Sequence, residues 1–201
     1  MKLIGLTGGA GSGKSTVSAM LRERGAAVVD ADEAAHAVYA PQGPGFDSVV
    51  REFGAEYVRD GEIDRARLGA LVFEDGEARK RLNAIVHPLV RDWMAARTAE
   101  AVESGAEIVV QDVPLLFESG LQRLYSTVLL VYVPEDLQLE RLTKGRGLTG
   151  DRARAMIAAQ MPIEEKRKLA GDVIDNSGSR DATRDQVERI WDDLVRRLPE
   201  P

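Results

Sequence analysis

The chain has 201 residues, 44% of them hydrophobic and 30% charged, with a formal net charge of −6, which predicts one domain with an elaborated insertion and is too apolar for a disordered chain. The acidic balance argues against general affinity for nucleic acid or anionic lipid, and no run approaches the roughly 18 apolar residues of a membrane span. Cysteine is absent, which removes disulfides and thiolate chemistry, and the opening residues fit a signal peptide poorly, so a cytoplasmic protein is expected.

The first apolar run, residues 3–7, reads as a strand. Gly8-Gly9-Ala10-Gly11-Ser12-Gly13-Lys14-Ser15 after it fits the phosphate-loop pattern G-x-x-x-x-G-K-[ST] without a deviation. A helix follows over 14–24 with Val17, Met20 and Leu21 on one face. Glycines let backbone N–H groups turn onto phosphate oxygens, and the helix N-terminus adds the positive end of its dipole. Gly11, Ser12, Gly13, Lys14, Ser15 and Thr16 are therefore expected to hold a nucleotide. In that role Lys14 bridges β- and γ-phosphates, and Ser15 places its hydroxyl on Mg²⁺.

A second strand over 27–31 carries Asp30-Ala31-Asp32 at its end, the edge that faces the ligand crevice in a doubly wound sheet. Either carboxylate could accept a proton from an acceptor hydroxyl, and capping of the next helix is the competing role. His36 shares a helical face with Asp32. Residues 39–104 read as an inserted helical subdomain, far longer than one crossover needs. Val49, Val50 and Phe53 form one apolar face there, and Leu68, Leu71, Val72 and Phe73 another. Pro88 is expected to open a long helix carrying Leu89, Val90, Trp93 and Met94.

Further strands are expected over 107–112, 127–133 and 172–175, giving an α/β fold: a P-loop NTPase-like parallel five-stranded sheet with flanking helices, the insertion and a lid. The lid spans 141–168, where eight basic residues meet three acidic ones, so +5 is concentrated there and −11 is spread over the rest. A small polyanionic ligand accounts for that distribution; a solvated basic face is the alternative. Asp175-Asn176-Ser177-Gly178 resembles a GTPase switch element, but it follows the last strand, where a γ-phosphate sensor is misplaced, and no N-K-x-D motif is present. The final helix is expected over 181–198, with Val187, Ile190, Trp191, Leu194, Val195 and Leu198 at helical spacing.

The phosphate loop together with Asp30-Ala31-Asp32, His87-Pro88, Asp112-Val113-Pro114-Leu115-Leu116-Phe117-Glu118 and Asp175-Asn176-Ser177-Gly178 resembles the dephospho-CoA kinase family over nearly the whole chain. The resemblance implies phosphoryl transfer from ATP to the ribose 3′-hydroxyl of dephospho-CoA, with Asp32 as the base and no nucleic-acid or membrane partner. Pro114 to Phe117 would shape an apolar wall for the acceptor. Another small-molecule or nucleoside monophosphate kinase of the same fold is the nearest alternative, and a nucleotide-dependent switch the next. One departure stands out. Where the family reads E-R-x-x-x-R, this chain has Glu140-Arg141 but Gly145 in the place of the second arginine. Arg141 and Arg146 are the expected lid cations, Arg146 replacing the missing group from one residue further on.

Overall fold

The computed structural model describes residues 1–196. In chain order its elements are β1 (Lys2–Gly8), α1 (Lys14–Glu23), β2 (Ala27–Asp30), α2 (Ala31–Tyr39), α3 (Phe46–Phe53), β3 (Val58–Arg59), β4 (Glu62–Ile63), α4 (Arg65–Glu74) and α5 (Gly76–Glu103). There follow β5 (Ile108–Asp112), β6 (Thr127–Tyr132), α6 (Glu135–Glu140), a π turn at Arg141–Gly145, α7 (Gly150–Ala158), α8 (Ile163–Leu169), β7 (Asp172–Asp175) and α9 (Arg180–Arg196). The main sheet has the order β2-β5-β1-β6-β7. In it β1 lies parallel to both β5 and β6, and β6 parallel to β7. This is the expected parallel five-stranded sheet. Strands buried on both faces need apolar residues at successive positions, and Val128 to Val131 are all buried.

The chain divides into two compact units, one joining Met1–Val29 to the chain from Ala101 on, the other Asp30–Glu100. In the first, Ile4, Leu6, Ile108, Val110, Leu129, Val131 and Ile174 of the sheet pack with Val17, Met20 and Leu21 of α1 and with Val187 and Leu194 of α9. Trp191 packs against this core from its edge. The remainder of the expected final helix, Leu198 included, lies outside the described residues.

The second unit has its own core of Val38, Val49, Phe53, Ile63, Leu68, Leu82 and Val86. Two expectations need correction here. Pro88 does not open its helix, because α5 begins twelve residues earlier, where Asp75 Oδ1 accepts the N–H groups of Glu77 and Ala78. A side-chain cap starts a helix by satisfying orphan donors, and Pro88 is carried inside α5 at the loss of one backbone bond. Phe73 is no part of the apolar face: it is 68% exposed while Leu68 is buried.

Candidate active site

The loop between β1 and α1 follows from its glycines. Gly13, at φ 83°, is the N-cap of α1, a conformation that side chains resist. No side chain caps this helix and no acidic residue occupies its first turn, whereas α2 and α4 are capped by Asp30 and Asp64. Helix donors left open in this way, at the positive end of a dipole, make an anion site.

Lys14 Nζ lies 2.5 Å from Asp112 Oδ1, and Ser18 Oγ donates to Asp112 Oδ2 at 2.7 Å. Asp112, buried at the end of β5, thus holds the lysine beneath the loop. Ser15 is exposed and lines a cavity of about 590 Å³ together with Gly11, Gly13, Arg141, Asn176 and Arg180.

The loop is braced by residues distant in sequence. Asn176 Nδ2 donates to Ser12 O at 2.7 Å, and Asn176 Oδ1 accepts from Thr183 Oγ1 at 2.8 Å. A Cβ at Gly13 would collide with that same amide, so the glycine serves close approach as well as backbone conformation. The buried Gln138 donates to Val133 O and fills the space a side chain at Gly9 would need. Gln160 Oε1 accepts the Ala10 N–H at 2.9 Å, and Leu142 and Ala153 pack on Ala10. The segment expected as a lid therefore rests on the phosphate loop at its base.

Its cations have separate environments. Arg141 donates from Nη2 to Asn176 O at 2.7 Å and from Nη1 to Ser12 O at 3.5 Å. Lys144 pairs with Glu140 at 2.9 Å. Arg146 is exposed, just past the π turn, and Gly147 after it takes φ 67° while Gly145 has no left-handed backbone. Lys166 departs from the reading of a solvated or ligand-facing basic segment: it is wholly buried and paired with Glu118.

In the helical unit the two aspartates separate by role. Asp30 is the N-cap of α2, its Oδ1 accepting from Asp32 N at 2.7 Å. Asp32, exposed in the first turn, keeps its carboxylate for other work. His36, one turn on, meets Arg65 at 2.6 Å. His87 lies within α5, and burial followed by Arg91 pulls its imidazole below the usual range. Of the apolar wall expected after β5, Leu116 and Phe117 are buried and Leu115 is 44% exposed.

Sequence reasoning missed Gln138, Gln160 and Arg180, and it did not find that the Asn176 side chain braces the loop as well as lining the cavity. The donor set fits Mg²⁺, which takes oxygen ligands and keeps several waters: the residues lining the cavity include Ser15 and Thr16, whose hydroxyls are oxygen donors. No described helix is long and apolar enough to cross a membrane.

A family model described as dephospho-CoA kinase matches residues 2–182. A protein of that name from Geobacillus kaustophilus is 54% identical over 195 residues, covering 95% of this chain and 97% of its own length. One from Symbiobacterium thermophilum is 50% identical over 192 residues, covering 95% and 80%. Among solved structures, dephospho-CoA kinase from Campylobacter jejuni superposes with a TM-score of 0.72 at 26% identity over 96% of this chain and 97% of that one. Shikimate kinase from Acinetobacter baumannii, at 18% identity and a TM-score of 0.54 over 99% and 96%, shares the fold alone.

Proposed function

This chain belongs to the dephospho-CoA kinase family, and we propose that Lys14, Ser15, Asp32, Arg141 and Arg146 divide the work of its phosphoryl transfer. The reaction moves the γ-phosphoryl group of ATP to the ribose 3′-hydroxyl of dephospho-CoA, the final step of coenzyme A synthesis. Little covalent chemistry falls to the protein in such a transfer, so positioning and charge neutralisation carry it.

Backbone N–H groups of Gly11 to Thr16 cradle the phosphates of ATP. Lys14 neutralises charge growing between the β- and γ-phosphates, and its hold on Asp112 aims it beforehand, which lowers the reorganisation needed in the transition state. Ser15 would hold Mg²⁺, which supplies Lewis-acid neutralisation of the phosphate oxygens when bound. Asp32 accepts the proton of the 3′-hydroxyl as oxygen attacks phosphorus; the P–O bond to ADP breaks and ADP leaves. Arg141 forms a wall of the nucleotide cavity, and Arg146 brings positive charge from the lid to the transferring group and helps exclude water. The helical unit binds the acceptor.

The observation that carries this reading is the phosphate loop itself, with an uncapped helix start and Lys14 pre-aimed by a buried carboxylate. A coupled assay of ADP release against dephospho-CoA, shikimate, gluconate and nucleoside monophosphates tests it. Dephospho-CoA should give the highest kcat/KM, and a better rate with any other acceptor would overturn the assignment.

A further inference from the structure

Arg65 differs from the acid-paired cations of the helical unit in keeping its charge. Arg59, Lys80, Arg81 and Arg97 pair with Asp60, Glu77, Glu52 and Glu100. Arg67 stacks on Tyr57 and donates to Glu56 O. Arg65 instead places Nη2 at 2.6 Å from His36 Nε2. A guanidinium has no acceptor atom, so the imidazole nitrogen accepts and carries no proton there. His36 thereby orients the guanidinium without cancelling its charge, and the rest of its planar fork of donors is presented for an oxyanion. Tyr39 lies close enough for Arg65 to oppose the upward push that burial gives the phenol.

Asp32, His36 and Tyr39 stand at i, i+4 and i+7 of α2, one stripe of its surface. Four residues of helix rise about 6 Å, so the stripe sets the Asp32 carboxylate about one turn from the imidazole that holds the Arg65 guanidinium. In dephospho-CoA the 3′-hydroxyl and the 5′-diphosphate leave opposite sides of one ribose ring. We propose that Arg65, oriented by His36, binds the 5′-diphosphate of the acceptor while Asp32 receives its 3′-hydroxyl. The two anchors seat one ribose in a single register, and Arg65 makes the enzyme prefer a 5′-phosphorylated acceptor. This inference rests on the acceptor assignment above.

The test is calorimetric titration of the full chain with dephospho-CoA and with adenosine, alongside steady-state kinetics. Arg65→Ala should weaken dephospho-CoA binding roughly 10- to 100-fold, the loss of a charge-assisted contact, and raise its KM comparably. Adenosine affinity and the KM for ATP should stay within about twofold. The salt dependence of dephospho-CoA binding should flatten in the same variant. His36→Gln, which keeps an acceptor for the guanidinium, should retain more affinity than His36→Ala. Wild-type affinity for dephospho-CoA in Arg65→Ala, or equal losses for adenosine and dephospho-CoA, would overturn the proposal. If the wild-type chain prefers another acceptor in the ADP-release panel, the acceptor assignment fails instead, and the two failures are read from different experiments.

Discussion

Lys166 Nζ lies 2.8 Å from Glu118 Oε1, with the lysine side chain wholly out of solvent and the glutamate side chain 21% exposed. The same carboxylate oxygen accepts the Met161 N–H at 2.9 Å, and Lys166 also reaches Pro114 O at 3.3 Å. The pair therefore ties the exit of the lid to the loop after β5. Its two halves differ in what their loss leaves behind. Glu118→Gln strands a buried ammonium and should cost about 3–5 kcal/mol, while Lys166→Met leaves a carboxylate that can rehydrate and should cost less. Urea unfolding of both variants checks the order. Equal costs would mean that the buried ammonium does not depend on Glu118 for its charge balance.

The phosphate loop was legible because its chemistry lies in contiguous residues and its flanking strand and helix have clean apolar periods. The braces were not, since Asn176 meets Ser12 across 164 positions and Glu118 meets Lys166 across 48. Within Glu164-Glu165-Lys166-Arg167-Lys168 nothing local distinguishes the buried lysine from solvated neighbours; its burial is set by the packing of α8 and the position of Glu118. The start of α5 is encoded in Asp75, a capping residue followed after Gly76 by good helix formers, but the preference of proline for a first helical turn points instead to Pro88. Asp30 and Asp32 were both visible as carboxylates. Only the backbone conformation at Asp30 decided which of them is spent on the helix cap.

Lys14→Ala should abolish turnover, by on the order of 10³-fold or more, because the phosphate charge loses its pre-aimed counter-ion. The variant should not be neutral for stability, since Asp112 is buried and loses an ion pair while keeping the Ser18 hydroxyl; a cost of roughly 1–3 kcal/mol is expected. Asp32→Asn should lower kcat by about 10²- to 10⁴-fold with a stable fold, as removal of a general base does. Single-turnover kinetics and thermal melts of the two variants separate these effects. A larger kcat loss in Asp30→Asn than in Asp32→Asn would reverse the assignment of the two aspartates.

Asn176→Ala removes the donor to Ser12 O and the acceptor for Thr183 Oγ1, both within a buried contact. A loss of about 2–3 kcal/mol is expected, together with weaker ATP binding, since the carbonyl it holds belongs to the phosphate loop. Asn176→Asp should bind ATP more weakly still: its carboxylate sets an acceptor against the Ser12 carbonyl. Differential scanning fluorimetry with and without ATP measures both consequences, and a full ATP-induced shift in either variant would contradict the bracing role.

Tyr125, whose hydroxyl donates to Gln111 Oε1 at 2.9 Å, has its phenol pushed up to about 12 by burial. The unfolded phenol ionises near 10, so the folded state holds its proton longer. This contribution to stability is fully present below about pH 10 and is lost as pH rises through about 12. Tyr125→Phe should therefore show a shallower alkaline fall in Tm than the wild type between pH 10 and 12. Parallel curves would mean that Tyr125 is not the group responsible.

The lid offers the sharpest test of how this chain works without an arginine at position 145. Arg141 is committed to the carbonyl groups of Asn176 and Ser12, and Lys144 to Glu140. Arg146 is exposed and has no ion pair among the described residues. Freedom of this kind is what a group that must travel to the transferring phosphoryl requires. Arg146→Ala should then reduce kcat by roughly 10²-fold with little change in the KM for ATP. Arg141→Ala should be comparably damaging but should also raise the KM for ATP, because its guanidinium braces the loop. Lys144→Ala loses only a surface pair and should stay near wild type. The strongest form of the test is a rescue. Gly145 has an ordinary backbone conformation, and a Cβ there would meet nothing within 4 Å, so a side chain can leave the backbone at this position without a clash. If a lid cation is what Arg146 supplies, Gly145→Arg in the Arg146→Ala background should restore kcat at least tenfold. Near-wild-type kcat in Arg146→Ala alone would show that Lys14 and Arg141 suffice, and failure of the rescue would show that position 146 acts through something other than its charge.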